Sequence, residues 1–166
     1  SRGLGDVYKR QAFDALKQAA SKVGGIQIQN AGTIAGNICN ASPAADGVPP
    51  LLALDAKVEL CSQETGTRVL PLNKFITGVR QTVLKPDELV SAILVPPSPI
   101  SMGSAFEKLG SRRYLVISIT MTAASVLLGQ DGRIEDARIA VGSCSAVSQR
   151  LYALEDDLKG KTPQDV

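Results

Sequence analysis

The residues best suited to chemistry lie in one stretch, NAGTIAGNICNASPAAD at positions 30–46. Thr33, followed by small residues and then Asn37, suits a backbone that must come close to a ligand. Ala35 and Gly36 remove side-chain bulk, so main-chain amides can point at an anion. Thr33 and Asn37 add a hydroxyl and an amide, and Asp46 is a candidate acceptor for a ribose or sugar hydroxyl. No Lys follows the glycines as in a Walker loop, and the G-x-G-x-x-G spacing is absent. The same composition also fits a tight structural loop between a strand and a helix, and the residues alone leave both readings open.

Few other residues could act. The 166-residue chain has no His, which excludes Ser-His-Asp and Cys-His catalysis and His-dependent zinc sites within it. Redox chemistry carried by a bound cofactor stays available, because there the protein binds and orients. Cys39, Cys61 and Cys144 form no C-x-x-C pair and read as thiols of a reducing cytosol, with no metal site and no catalytic side chain. A net charge of +2 and 4% aromatics argue against nucleic-acid binding. No apolar run reaches the roughly 18 residues of a membrane span, so no membrane partner is expected.

The elements that must position these residues follow from periodicity and punctuation. Residues 1–11 lack the apolar region of a signal peptide and read as a disordered or foreign leader. Residues 12–23 place Phe13, Leu16, Ala19 and Ala20 on one helical face, stopped by Gly24-Gly25. Residues 26–29 alternate and predict a brief strand, and 33–37 begin a helical turn. Residues 51–54 predict a short apolar helix, and 56–60 with 67–72 a hairpin around Gly66. A short helix is expected over 72–79 and a strand buried on both faces over 88–95. Pro96-Pro97-Ser98-Pro99 divides the chain into candidate domains at 12–97 and 98–166. Beyond it come a strand over 104–109, then strands over 117–128 and 134–141 joined at Asp131-Gly132. A final helix over 149–159, with Leu151, Leu154 and Leu158 on one face, stops at Gly160.

The segment GGIQIQNAGTIAGNICNASPAADGVPPLLALDAKVEL resembles the second flavin-binding signature of the FAD subunits of molybdenum hydroxylases. That family includes the medium subunit of carbon monoxide dehydrogenase and the flavin domain of xanthine dehydrogenase. Ile28, Asn30, Thr33, Ile34, Gly36, Asn37, Ala41, Ser42, Pro43 and Asp46 all match in register, as do Pro50, Leu52, Ala53, Leu54 and Ala56. The likeness continues through Lys85-Pro86-Asp87-Glu88-Leu89-Val90, Phe106-Glu107-Lys108, Arg112-Arg113 and Ile117-Ser118. Further on, Asp131-Gly132-Arg133-Ile134, Arg150, Glu155, Leu158 and Gly160 resemble the family's C-terminal hairpin and helix. There are departures. Ala35 stands for the first glycine of the usual T-I-G-G pair, so a methyl group is expected to crowd the flavin phosphates. Gln29 stands for the usual Arg, and Ala146 and Ser148 for frequent prolines. The family's earlier A-G-G-T loop has no counterpart here.

The resemblance implies an α+β fold, the second half of an FAD-binding domain followed by an antiparallel sheet packed on helices. It implies FAD bound at Thr33, Ile34, Ala35, Gly36, Asn37, Asp46, Leu89, Val90 and Lys108. Lys108 could equally be a solvated surface lysine, and Leu89 and Val90 could be core residues. The implied role is a cytoplasmic electron-transfer subunit whose partners are a large subunit with the molybdenum cofactor and a small subunit with iron–sulfur clusters. With one of two flavin loops present, the chain by itself is expected to be folded, to lack FAD and activity, and to self-associate. A flavin-free assembly module, or another FAD oxidoreductase of the same fold, is the alternative.

Overall fold

The computed structural model describes residues 11–112 and 115–165. The leader read at 1–11 lies outside them except for Gln11, whose carbonyl accepts a hydrogen bond from Ser104 Oγ at 2.8 Å. Among the described residues the chain runs through the short helices α1 (Asp14–Ser21), α2 (Ile26–Ala31), α3 (Ile34–Cys39) and α4 (Val48–Ala53). A three-stranded antiparallel sheet follows, ordered β2 (Gly66–Pro71), β1 (Lys57–Ser62), β5 (Glu88–Leu94). Between β2 and β5 run α5 (Leu72–Phe75) and the small pair β3 (Ile76–Gly78) and β4 (Gln81–Thr82). A second antiparallel sheet holds β6 (Gly103–Leu109), β7 (Thr120–Leu128), β8 (Ile134–Gly142) and β9 (Gln149–Arg150) in chain order, and α6 (Tyr152–Leu158) closes it.

Local chemistry explains the turns. Ser62 Oγ accepts from the amides of Glu64 and Thr65 and donates to Asp87 at 2.6 Å, while Gly66 takes φ +76°. Those contacts fold the β1–β2 hairpin so that Ser62 pairs with Gly66. In the β7–β8 turn, Asp131 Oδ1 accepts from Arg133 N and Gly132 takes φ +77°, the left-handed conformation that suits glycine.

The main core gathers Ile38, Leu51, Val58, Leu60, Leu72 and Phe75 under the first sheet. Along β1 the inward residues alternate as Val58, Leu60 and Ser62, the period of a strand with one covered face. A second cluster of Ala15, Ala19, Ala53, Phe106, Met121 and Ala123 joins α1 and α4 to the second sheet. Small alanines let α1 lie close to β6, where Ala15 N donates to Ser104 Oγ and Phe106 N to Gln18 Oε1. The proline-rich segment at 96–99 thus separates the two sheets along the chain, while α1 and α4 pack across it.

The α+β architecture agrees with the sequence expectation, and several elements differ from it. Residues 26–29 are helical, because Ile26 and Ile28 are 67% and 56% exposed and have no sheet to join. Strand β5 is covered on one face only: Leu89 is 75% exposed, while Val90 and Ile93 pack on the core. The helix expected over 72–79 ends at Phe75, where Ile76 turns into β3 to pair with β4. Strand β7 begins at Thr120, leaving Ile117 and Ile119 exposed ahead of it. The final helix starts at Tyr152 because Gln149 and Arg150 pair with β8 as β9. On α6 the buried positions are Glu155 and Leu158, and Leu154 is largely exposed.

Candidate flavin-facing site

The turn at 33–37 is built by its own capping chemistry. Thr33 has extended backbone, and its Oγ1 accepts from Gly36 N at 2.9 Å, an N-cap of α3. Asn37 N donates to Thr33 O at 3.0 Å. The amides of Ile34 and Ala35, in the first turn, are beyond reach of any carbonyl of their own helix. Ile34 and Gly36 are exposed and Ala35 half-buried. A Cβ added at Gly36 would meet only Thr33 Oγ1, at 3.0 Å. Gly36 is exposed at this point, so a group of another molecule can reach the backbone there. That exposed backbone, with the two amides, fits a phosphate-bearing cofactor.

Asn37 has turned inward. Its Oδ1 accepts from Gly47 N at 3.1 Å, so it ties α3 to the start of α4. A Cβ at Gly47 would come within 2.8 Å of that oxygen. Next along the chain, Asp46 is buried and both its oxygens have internal partners. Oδ2 accepts from Lys108 Nζ at 2.8 Å and Oδ1 from Ser118 Oγ at 2.9 Å. Lys108 Nζ also lies 3.4 Å from the carbonyl of Lys22, the residue capping the C-terminus of α1. The Lys108 and Asp46 side chains are each 7% exposed, so Lys108 is an inward-held cation and not a solvated lysine.

The structure thus brings Asn37, Asp46 and Lys108 into one contiguous network. Strand β5 packs beside α3, with Val90 turned toward the core and Leu89 away from it. Leu89 is accordingly available as an apolar surface contact, whereas Val90 serves packing. The first carboxylate of β5 is held firmly: Glu88 accepts from Arg68 Nε and Nη2 at 2.6 and 2.8 Å and from Lys85 N at 2.9 Å. The Arg68 hydrogen bond, with the Lys85 amide behind it, lowers the Glu88 carboxyl to about 2.

Some participants carried no chemical signal in the sequence. Ser118 sits in an apolar, β-branched run, and Lys22 contributes only its carbonyl. Gln29 donates through Nε2 to the carbonyls of Ser21 and Val23 and fastens α2 to the end of α1. Arg112 closes its own loop by donating to Leu115 O, and Arg113 lies outside the described residues. Burial pushes the Cys39 thiol up, which keeps it protonated and poorly reactive. Among the described residues, no group of His, Cys, Asp or Glu is arranged to hold a metal ion, and no helix is long and apolar enough to cross a membrane.

Comparison with known proteins places this geometry in context. The chain is 35% identical over 153 residues to the caffeine dehydrogenase subunit beta of Pseudomonas sp. (strain CBB1), covering 92% of this chain and 51% of that protein. It is 38% identical over 151 residues to the xanthine dehydrogenase FAD-binding subunit of Escherichia coli O157:H7, covering 90% and 51%. The fold superposes on CO dehydrogenase from Oligotropha carboxidovorans with a TM-score of 0.83 at 26% identity, covering 89% of this chain and 50% of that one. The chain spans about half the length of the curated relatives it matches. Residues 4–98, which include the capped turn, Asp46 and β5, match the FAD binding domain in molybdopterin dehydrogenase, and the chain belongs to that family.

Proposed function

We propose that the chain holds FAD for a molybdenum hydroxylase whose partner subunits carry the molybdenum cofactor and the iron–sulfur clusters, the flavin relaying electrons from those clusters to an external acceptor. The observation that supports this best is the capped turn at 33–37, exposed at Gly36, within the segment that matches the FAD-binding family. The amides of Ile34 and Ala35 donate to the diphosphate, and Thr33 holds the turn that aims them. Gly36 keeps the approach clear. Lys108 supplies positive charge, and Leu89 offers an apolar surface for a flat ring. Asn37 fixes the turn to α4, and Val90 backs Leu89 from the core. No side chain is required as an acid or base, since the electron chemistry is the cofactor's. Assembly with the two partner subunits in the cytoplasm belongs to the same proposal. Among the described residues we assign one turn to the phosphates, and dialysis is expected to strip FAD from these 166 residues by themselves.

Gly36→Val in the full-length protein tests the reading. A Cβ at this exposed position meets Thr33 Oγ1 at 3.0 Å, and the fold is expected to stay intact, which circular dichroism of the variant checks. The added atoms fill the approach to the amides, and loss of two charge-assisted hydrogen bonds weakens FAD binding at least about a hundredfold. Wild-type flavin content in a folded Gly36→Val protein would remove the basis for the assignment.

A further inference from the structure

We infer that the cleft bordered by α5, the α4–β1 turn and the start of α6 docks an acidic segment of a partner subunit, one that sets carboxylates around an apolar side chain; this rests on the multi-subunit assembly proposed above. The cleft has a volume of about 350 Å³. Both halves of the chain wall it: Lys57 and Lys74 come from β1 and α5, Arg150 and Tyr152 from β9 and α6. The buried side chains of Leu52 and Leu72, with Ala56, give it an apolar lining. Lys57 and Lys74 are exposed, and among the described residues neither has a hydrogen bond or an ion pair.

Charge decides what fits. Asp55 also lines the cleft, and its carboxylate would be the natural counter-ion of the lysines. It is turned instead to the second sheet, where Oδ1 accepts from Arg150 Nη1 at 2.7 Å and Oδ2 from Arg138 Nη1 at 2.9 Å. The Asp55 backbone sits in the left-handed region, at φ +53°, a conformation that Asp adopts more readily than most residues. The cleft therefore presents two positive charges that its own carboxylate does not answer. Tyr152 adds an aromatic wall. Arg150 Cζ lies 5.0 Å from the centroid of its ring, which holds the ring in place while the residue stays 55% exposed. An apolar centre with an aromatic anchor and a charged rim is the make-up of a protein interface. A small inorganic anion would leave the apolar lining unused, and an uncharged segment would leave the lysines unanswered; an acidic segment satisfies both.

The test uses the full-length FAD subunit and its co-expressed partner subunits. Hydrogen exchange over residues 52–57 and 71–74 should slow when the complex forms. Lys57→Glu combined with Lys74→Glu should weaken binding of the subunit to its immobilised partners at least about tenfold at low salt, and by less at about 0.5 M salt. Both side chains are exposed and unpartnered, so melting temperature and FAD content should stay at wild-type values. If the double Glu variant does not fold, Lys57→Gln with Lys74→Gln replaces it, with a smaller salt-dependent loss expected. Unchanged binding, or a loss that ignores salt, would overturn the inference. So would protection already present in the FAD subunit alone, which marks the cleft as covered by its own chain or by a second copy. A wild-type subunit that forms no complex overturns the proposed assembly and the docking with it. A wild-type complex that forms and is indifferent to the charge reversal overturns the docking alone.

Discussion

Replacing Arg150 by Met should unfold the protein well below its normal melting temperature. Arg150 links the end of α4 to α6. Its Nε and Nη2 donate to Glu155 at 2.5 and 2.7 Å, and its Nη1 donates to Leu52 O at 3.0 Å and to Asp55 at 2.7 Å. Burial works against the charge, but the bonds to Glu155 and Asp55 outweigh it and hold the guanidinium above its ordinary range. The Arg150 and Glu155 side chains are 7% and 6% exposed. In Arg150→Met, Glu155 keeps only the Ile139 amide, at 2.8 Å, and Leu52 O loses a donor. Removing one member of such a buried pair costs about 3–5 kcal/mol. For a chain of this length that is a fall of about 6–20 °C. Circular dichroism during heating, with urea unfolding at fixed temperature, measures it. Adding Glu155→Leu removes the stranded charge and should recover most of the loss. A fall of less than about 3 °C in Arg150→Met, or a double variant no more stable than the single, would refute the reasoning.

Two further outcomes follow from the site. Glu88 has its folded pKa depressed to about 2 from an unfolded 4.5, so its stabilising contribution is present above pH 4.5 and is lost as pH falls toward 2. Urea midpoints of wild type and Glu88→Gln should therefore converge across that window, and a constant gap would contradict the pairing with Arg68. Ala35→Gly, which removes the methyl from the first turn of α3, should bind FAD at least as tightly as wild type in a titration of the full-length apoprotein. A clear loss of affinity would show that the turn accommodates the methyl by its own local geometry.

The capped turn was legible because its chemistry is local: Thr33 and Gly36 are three residues apart, and the cap forms between them. Likewise the hairpins at Gly66 and Asp131-Gly132 announced themselves through turn residues. What escaped is long-range. Ile26 and Ile28 alternate with polar residues, but four residues cannot show whether a neighbouring strand exists to receive them. Leu154 has helical spacing with Leu158, yet the buried position is Glu155, drawn inward by Arg150. Asp46 was singled out as a hydroxyl acceptor, and its engagement by Lys108 and Ser118 depends on residues 62 and 72 positions away. Lys108 looked no different from a surface lysine for the same reason. Leu89 lies in an apolar run, and only the pairing of β5 at the rim of its sheet decides that it faces outward.

Helix α1 has a bearing on how such chains can be recombined. It precedes the first sheet in the chain, but its hydrogen bonds reach Ser104 and Phe106, 88 or 89 positions later. Ala15 and Ala19 share their apolar cluster with Phe106, Met121 and Ala123. The alanine surface and the floor beneath it must therefore suit one another in shape, since a methyl added to either side has no room to go. A chimera that takes residues 98–166 from one relative and the rest from another would cut at the prolines and still mismatch this contact. Carrying α1 along with the second sheet restores it. The unit of inheritance is accordingly discontinuous: one helix from the front of the chain travels with the strands at its back.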